Sequence, residues 1–525
     1  MRAFLRTLLP FLLAAAVWGQ SDATTRPQVP GGIWHPAADS VPALPISAWL
    51  GPEGIGAWAR RFATRGLADD GPAFFVGVLV TLFIVLRGFD DRRRAMVVAA
   101  LLIGPAIPLV GLVPFQTVTT DAERAGFTLA FTVLWGVTAW WAVFAWKTAT
   151  SDEPSGFRNP FSPKTAHAGA AVAILAALAV TSVRVPDDCG VYSNLGARRW
   201  VETGTLPYGD AALRGGAAAT YGPVLYALHA GVQAATLGDE AFPNAPDARP
   251  LDRSYRRPPM FTTKIVAALA LVGACIGLWL TVSRLADAGT ASLCVVLFAA
   301  SPYVLGLGGK DATICGVGFV SHLVPAAFVA GALACSTRPA MGGILLAAGS
   351  ATVYWPAFLA PLFLGAQRRV STKAATRFFA GFAVTGLLVA AWVMANTRVA
   401  AGENAVALFF KSTLEHQEGA DQYGSSPFSF WGVHPDWAAV LHRPLIDFGG
   451  SLSKPTFLLV IAASIAGWFV GRRSRTTRMC ACAAAIACVV QLWKTHAGGT
   501  YVEWALPPLL IALFADRGDG SEPRT

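Results

Sequence analysis

Two adjacent carboxylates, Asp187 and Asp188, stand directly after the apolar run 166–183 and beside Pro186. A pair so placed has three chemistries open to it. It can take a proton from a weak nucleophile, hold a divalent cation through its oxygens, or cap the helix that follows. Two carboxylates are too few ligands to imply a metal, and no metal ligands are assigned. Cationic side chains suited to an anionic partner occur at Arg198, Arg199, Lys411, Lys494 and His496. Tyr192, Tyr208 and Trp431 offer rings that can stack on a ligand. Plainer readings stand beside these. Arg198 and Arg199 could contact headgroups or Glu202, and His416 could be a solvated loop histidine. His322, beside Ser321 in an apolar run, reads as a hydrogen-bonded packing residue, and Lys310–Asp311 as a local ion pair at a helix end.

The elements that must position these residues follow from composition. The 525 residues are 54% hydrophobic and only 14% charged, against about 25% charged in an average globular domain. Mean hydropathy is +0.50. Apolar stretches long enough to cross a hydrocarbon core of about 30 Å recur along the chain. That excludes a soluble enzyme, a disordered chain and a disulfide scaffold, and predicts an all-α polytopic membrane protein. The net charge of +10 falls in short clusters between apolar runs, so it reads as positive-inside topology rather than nucleic-acid binding. Of the eight cysteines only Cys189 lies outside an apolar segment. Buried thiols act as small hydrophobes, and Cys480-Ala-Cys482 is too tight for a metal site.

The first 20 residues suit a signal peptide or an N-terminal anchor. Residues 21–70 read as an extracytoplasmic, mostly irregular segment with a short interfacial helix near Ile55–Arg65. About thirteen spans are predicted: 72–88, 95–114, 127–146, 166–183, 218–237, 262–283, 289–306, 312–335, 340–365, 376–396, 456–471, 479–493 and 502–515. Residues 71–164 read as accessory transmembrane helices, 165–515 as the functional membrane domain and 516–525 as a cytoplasmic tail. Basic clusters at Arg87–Arg94, Lys147–Lys164, Arg249–Arg257, Arg368–Arg377 and Arg472–Arg478 are separated by even numbers of these spans. One orientation therefore puts all of them in the cytoplasm. It leaves the loops 184–217, 397–455 and 494–501 outside, where chemistry is expected.

The first of those loops predicts an amphipathic helix over Tyr192–Glu202, lying along the membrane surface. Its order is an aspartate four residues before a tyrosine, a short amphipathic helix, Gly204-Thr-Leu-Pro-Tyr-Gly209, then Tyr221-Gly222-Pro223 opening the next span. This order resembles the first extracytoplasmic loop of GT-C glycosyltransferases. It is most similar to the polyprenol-phosphate-mannose-dependent mannosyltransferases of glycosyltransferase family 87 and to the first mannosyltransferase of GPI-anchor assembly. A later segment, Phe409-Phe-Lys-Ser-Thr-Leu-Glu-His416 followed by Ser425-Ser-Pro-Phe-Ser-Phe-Trp431, resembles a later loop of the GPI enzyme. The likeness covers about residues 165–515. Two features depart from it: about 160 residues precede the loop, and Gly222 stands where family members often carry proline.

The resemblance implies a GT-C-like bundle that moves a sugar, mannose above others, from a polyprenyl-phosphate donor to an acceptor hydroxyl with inversion. The acceptor would be a glycan, a glycolipid or a protein, and membrane lipids and the lipid-linked donor would be the other partners. The setting it implies is the outer face of a bacterial inner membrane. Asp188, with Asp187 beside it, would be the base. Tyr192, Arg198, Arg199, Tyr208, Tyr221, Lys411, His416, Trp431, Lys494, His496 and Tyr501 would contact donor or acceptor. No dedicated cofactor is implied. The alternatives are a transporter or flippase of a lipid-linked sugar and a non-enzymatic membrane assembly protein.

Overall fold

The computed structural model describes residues 44, 46–63, 71–110, 112, 120–151, 156–184, 188–208, 219–235, 261–307, 315–399, 404–410, 412–413, 430–434, 455–494 and 497–515. The fold is all-α, and the described residues form no strands. The helices of ten or more residues are α1 (Pro52–Arg61), α2 (Gly71–Gly88), α3 (Arg92–Ile103), α4 (Asp121–Thr150), α5 (Pro163–Val183), α6 (Asp188–Thr203), α7 (Pro223–Ala235) and α8 (Phe261–Leu285). They continue as α9 (Ala288–Ala299), α10 (Val320–Ala334), α11 (Pro339–Ser350), α12 (Ala360–Val370), α13 (Thr372–Asn396), α14 (Pro455–Arg473), α15 (Thr476–Trp493) and α16 (Val502–Phe514). Seven of them are long and apolar enough to cross a membrane, and four shorter apolar helices accompany them. The chain is an integral, multi-pass membrane protein.

Local sequence explains where the helices begin. Thr120 and Glu123 form a reciprocal capping box at the start of α4, and Lys147 in its last turn complements the helix dipole. Ser162 caps α5, Asp287 caps α9 and Ser371 caps α13. Pro325, inside α10, removes the amide that would otherwise bond the Ser321 carbonyl. Trp504 Nε1 of α16 donates to that carbonyl at 3.2 Å, so a break in one helix becomes the docking point of another.

The two ends of the bundle differ in charge. At one, called here the arginine end, α2 finishes with Arg87, α4 with Lys147, α12 with Arg368 and Arg369, and α14 with Arg472 and Arg473. The far end holds the start of α6 and the ends of α5, α13 and α15. Leu206 N–H donates to Asn396 O there at 2.7 Å.

Two expectations need correcting. First, α7 and α8 do not follow the expected up-and-down order. Lys264 Nζ donates to Ser182 O at 2.7 Å and Thr263 Oγ1 to Gly190 O at 3.3 Å, so α8 starts at the far end. It finishes at the arginine end with Arg284 in its last turn. The cluster Arg249–Arg257, outside the described residues, thus precedes a helix that begins opposite the other clusters. Secondly, the expected span 340–365 is a helical hairpin: α11 rises, a 3-10 turn Trp355–Leu359 reverses the chain, and α12 returns. Gln367 near the end of α12 donates to Ser336 O just before α11, at 2.9 Å. The two errors offset each other, which is why the remaining clusters still agree.

The helices before residue 164 share the core of the later ones. α4 packs along α15, and Trp141 Nε1 donates to Leu101 O at 2.7 Å. One apolar core joins Leu101 and Phe131 to Trp493 and Phe514. α4 has 30 residues, about 45 Å at 1.5 Å per residue, longer than the hydrocarbon core. Its first turns pack against α1, where the sequence predicts a short interfacial helix, with Arg61 3.5 Å from Glu123.

Candidate functional site

Side chains from separate stretches of chain meet at the far end. Glu503, in the first turn of α16, is fully buried. Its Oε1 accepts from Gly316 N–H at 2.7 Å and its Oε2 lies 3.2 Å from His322 Nδ1. Gly316 has φ +114, a backbone that a side chain would strain, and this glycine presents its amide to the carboxylate. His322 is 1% exposed. Its ring packs on Phe319, centroid 4.6 Å away, and on Tyr501, 4.3 Å away.

Tyr501 is shared. Lys494 Nζ stands 4.6 Å over the same ring and 5.8 Å from the rings of Tyr354 and Trp504, a cation held by π-faces. Lys494 follows the last turn of α15 and is 1% exposed. Burial pushes its amine down to about 7. The hairpin turn completes the wall, with Trp355 stacked on Trp504 at 5.1 Å. Arg184, the residue that ends α5, donates to Gly306 O at 3.0 Å, and Gly306 lies against Gly316. A row therefore runs from Arg184 past the two glycines to Glu503, His322, Tyr501 and Lys494.

Asp188 opens α6, which packs on α8 and on α10, the helix that carries His322. α6, α8, α10 and α16 all begin at this end, so their positive dipole ends converge there. Asp187 lies outside the described residues, as do Lys411, His416 and His496. Among the described residues, no group of three or more His, Cys, Asp and Glu side chains is placed to hold a metal ion.

The remaining expected residues divide. Tyr192 is buried in α6 at 7% exposure. α6 is not the surface-lying helix expected, because Ser193, Asn194 and Ala197 are fully buried under α7. Gln233 of α7 bonds Asn194. Arg198 pairs with Glu202 at 2.6 Å, the plainer reading of that arginine, and Arg199 is half-buried one residue on. Gly204, at φ +67, turns the chain out of α6. Tyr208 OH then donates to Tyr221 O at 3.0 Å, and its ring packs on Tyr226 and Phe409. Burial holds the Tyr208 hydroxyl far above its ordinary range, so it serves as a neutral strut. Trp431 packs on Trp135 and donates to Leu492 O at 3.0 Å, a packing role near the Lys494 loop. His434, beside it, bonds Thr132 Oγ1 at 2.7 Å and is pushed down to about 4 by burial.

Of the expected residues, then, Lys494 and Tyr501 join the charged row, and Asp188 begins a helix that packs beside it. Glu503 and Arg184 were missed, and His322 was read as packing. His322 and Glu503 lie 181 positions apart, with no local signal to link them. A lone acid in the first turn of an apolar helix was the one available hint. No protein-family model, no curated protein and no solved structure matches the chain.

Proposed function

We propose that this chain is a membrane glycosyltransferase. It moves a sugar, mannose in this reading, from a polyprenyl-phosphate donor to an acceptor hydroxyl on the extracytoplasmic face of a bacterial inner membrane. The observation that carries the reading is the start of α6 at Asp188, packed against the helix of His322, at the bundle end that also holds buried Lys494. A carboxylate and a buried cation at one membrane-facing end suit a reaction that needs both.

The acceptor oxygen attacks the anomeric carbon while its proton passes to the Asp188 carboxylate. The bond from that carbon to the phosphate oxygen breaks with inversion. Its electron pair stays on the phosphate, which leaves as polyprenyl phosphate. Negative charge grows on that phosphate as the bond breaks, and fixed cationic donors lower the barrier most when aimed there. The donor tail stays in lipid throughout, which is why the reacting groups belong at a bundle end.

One observation favours a second reading. Buried ionisable pairs such as His322–Glu503 also mark transport pathways in membrane bundles, so a carrier of lipid-linked sugar is the rival. The test is purified protein in lipid, wild type beside Asp188→Asn, offered a panel of polyprenyl-phosphate sugars with cell-envelope acceptors. Release of free polyprenyl phosphate from one donor, lost in the variant, supports the transferase and names the sugar. A folded Asp188→Asn protein with full release would sink the assignment. Sugar-lipid movement between leaflets without release would favour the carrier.

A further inference from the structure

We propose that Arg184 and Glu503 are positioning residues for the Asp188 base, gripping the two arms of one glycine neck beside the entry to α6. The proposal rests on the transferase reading for the role of Asp188.

The neck leads from the short helix Pro302–Leu305 to α10. Its arms, Val304–Leu307 and Cys315–Val317, are buried. Val317 N–H donates to Val304 O at 2.9 Å, and Leu307 pairs with Cys315 in an antiparallel bridge. Between these ties stand Gly306 at φ +95 and Gly316 at φ +114, a backbone that side chains rarely adopt. A Cβ on Gly316 would fall 2.5 Å from Gly306 Cα. The arms therefore touch, and one cannot shift without the other.

Each arm is held by one ionisable side chain, and the two come from different helices. Arg184 Nη2 donates to Gly306 O at 3.0 Å. The same residue ends α5: its N–H donates to Val180 O at 2.9 Å, and its φ of −71 and ψ of 142 are extended. The point where the chain leaves α5 is thus tied to the neck. Asp188 follows four residues later, a tether that spans at most about 14 Å. Past it, α6 is fastened again, where Thr263 Oγ1 donates to Gly190 O at 3.3 Å.

Glu503 holds the other arm. Its Oε1 accepts Gly316 N–H at 2.7 Å, and its Oε2 lies 3.2 Å from His322 Nδ1. A serine or an asparagine could accept the same amide at less cost. An acid buried in a membrane bundle is expensive, and such residues pair with a partner and mark function. His322 is the partner here, and the first turn of α16 favours a negative group. A charged acceptor also grips an amide more firmly than a neutral one. His322 lies in the first turn of α10, the helix on which α6 packs. Glu503 thus steadies both the neck and a helix that supports α6.

Neither residue has to meet the substrate to affect the rate. A misplacement of about 1 Å at a reacting group can cost about a hundredfold. The clamp gives the base a fixed origin, from one arm through Arg184 and from the other through α10.

The experiment is steady-state sugar transfer by purified protein in lipid, with the donor found in the release assay. Glu503→Ala and Arg184→Met should each lower kcat by about a hundredfold and leave the donor KM nearly unchanged. Glu503→Gln keeps an acceptor for Gly316 and Arg184→Lys keeps a donor for Gly306, so each should recover part of kcat. The double variant, Glu503→Ala with Arg184→Met, should lose no more than the worse single one, because both act through one neck. Losses that multiply, a donor KM that rises while kcat holds, or folded single variants with wild-type kcat would each overturn the clamp.

Should those variants fail to fold, the conservative Arg184→Lys still decides. Hydrogen exchange of the peptide that carries the Gly316 amide should be about threefold faster or more, the low end of coupling between neighbours. Arg184 bonds Gly306, so an unchanged rate would mean that the arms move independently, and the proposal falls. No release from any donor by wild type overturns the transferase reading and the positioning of its base together. Release by wild type with losses that multiply overturns the clamp alone.

Discussion

Lys264, in the first turn of α8, donates to the carbonyl of Ser182, in the last turn of α5, at 2.7 Å. A helix that starts where another ends fixes direction, and here it puts the start of α8 at the far end of the bundle. Single cysteines introduced at Arg253 and at Arg369, in a background lacking reactive thiols, should label from opposite sides of the membrane. Arg253→Cys should label from the same side as a cysteine at Val201. Labelling of both arginine positions from one side would restore the topology drawn from charge alone.

Gly222 separates this chain from the Tyr-Pro-Pro pattern of the family it resembles, and the structure gives a reason. Its N–H donates to Thr352 O at 2.9 Å, and a Cβ there would overlap the Ala351 carbonyl at the hairpin tip. Gly222→Pro loses the bond and forces the tip away. We expect a loss of about 3 kcal/mol or more, read as a lower unfolding midpoint in detergent. A variant with wild-type stability would mean that α7 and the hairpin are not in register as described.

Arg198 and Trp431 were equal candidates in the sequence and are unequal in the structure. Arg198 forms a half-exposed pair with Glu202 on one helix, and such pairs contribute little. Arg198→Ala should change stability by less than about 0.5 kcal/mol and leave the proposed sugar transfer intact. Trp431→Ala removes a fully buried ring between Trp135 and the Leu492 carbonyl and should cost about 3–5 kcal/mol. Thermal melts of the two variants side by side decide this. A large loss of transfer in Arg198→Ala at normal stability would return that arginine to the substrate-contacting set.

Lys494 makes stability depend on pH in an unusual direction. Its amine is held at about 7 in the fold against an ordinary 10.5. Between those values the unfolded chain holds a proton that the folded chain has released, so stability rises with pH across that window. Below about 7 the penalty is fully present. The unfolding midpoint should therefore climb from pH 7 toward pH 10, and Lys494→Met should flatten the climb while raising the midpoint at pH 7. Parallel slopes for wild type and variant would count against a desolvated amine.

The long helices were legible in the sequence because their apolar runs exceed the bilayer thickness: α4, α8 and α13 each fall where hydropathy placed them. The helix after Asp188 was legible too, from amphipathic spacing, and a short helix was expected near Ile55–Arg65, where α1 lies. What failed was the reading of short elements. The thirteen residues of α7 are apolar enough to pass for a span, yet the chain resumes at the same end. The hairpin α11–α12 passes for one span because only Tyr354-Trp355-Pro356 marks its turn. In the site, Lys494 and Tyr501 could be found because they share one short polar loop. His322 and Glu503 could not, since tertiary packing alone joins them and each looks like an isolated polar residue in an apolar helix.

Glu503 has a consequence for how the protein is made. Membrane helices are delivered in the order of synthesis, and α16 is the last of the described helices. Until the ribosome has passed it, Gly316 lacks the carboxylate that holds its loop, His322 lacks its partner, and the Ser321 carbonyl freed by Pro325 lacks Trp504. A nascent chain stopped short of residue 503 would leave all three of these groups without those partners. The late arrival of one acidic side chain thus makes closure of the charged centre wait for α16, whatever the order in which the earlier helices pack.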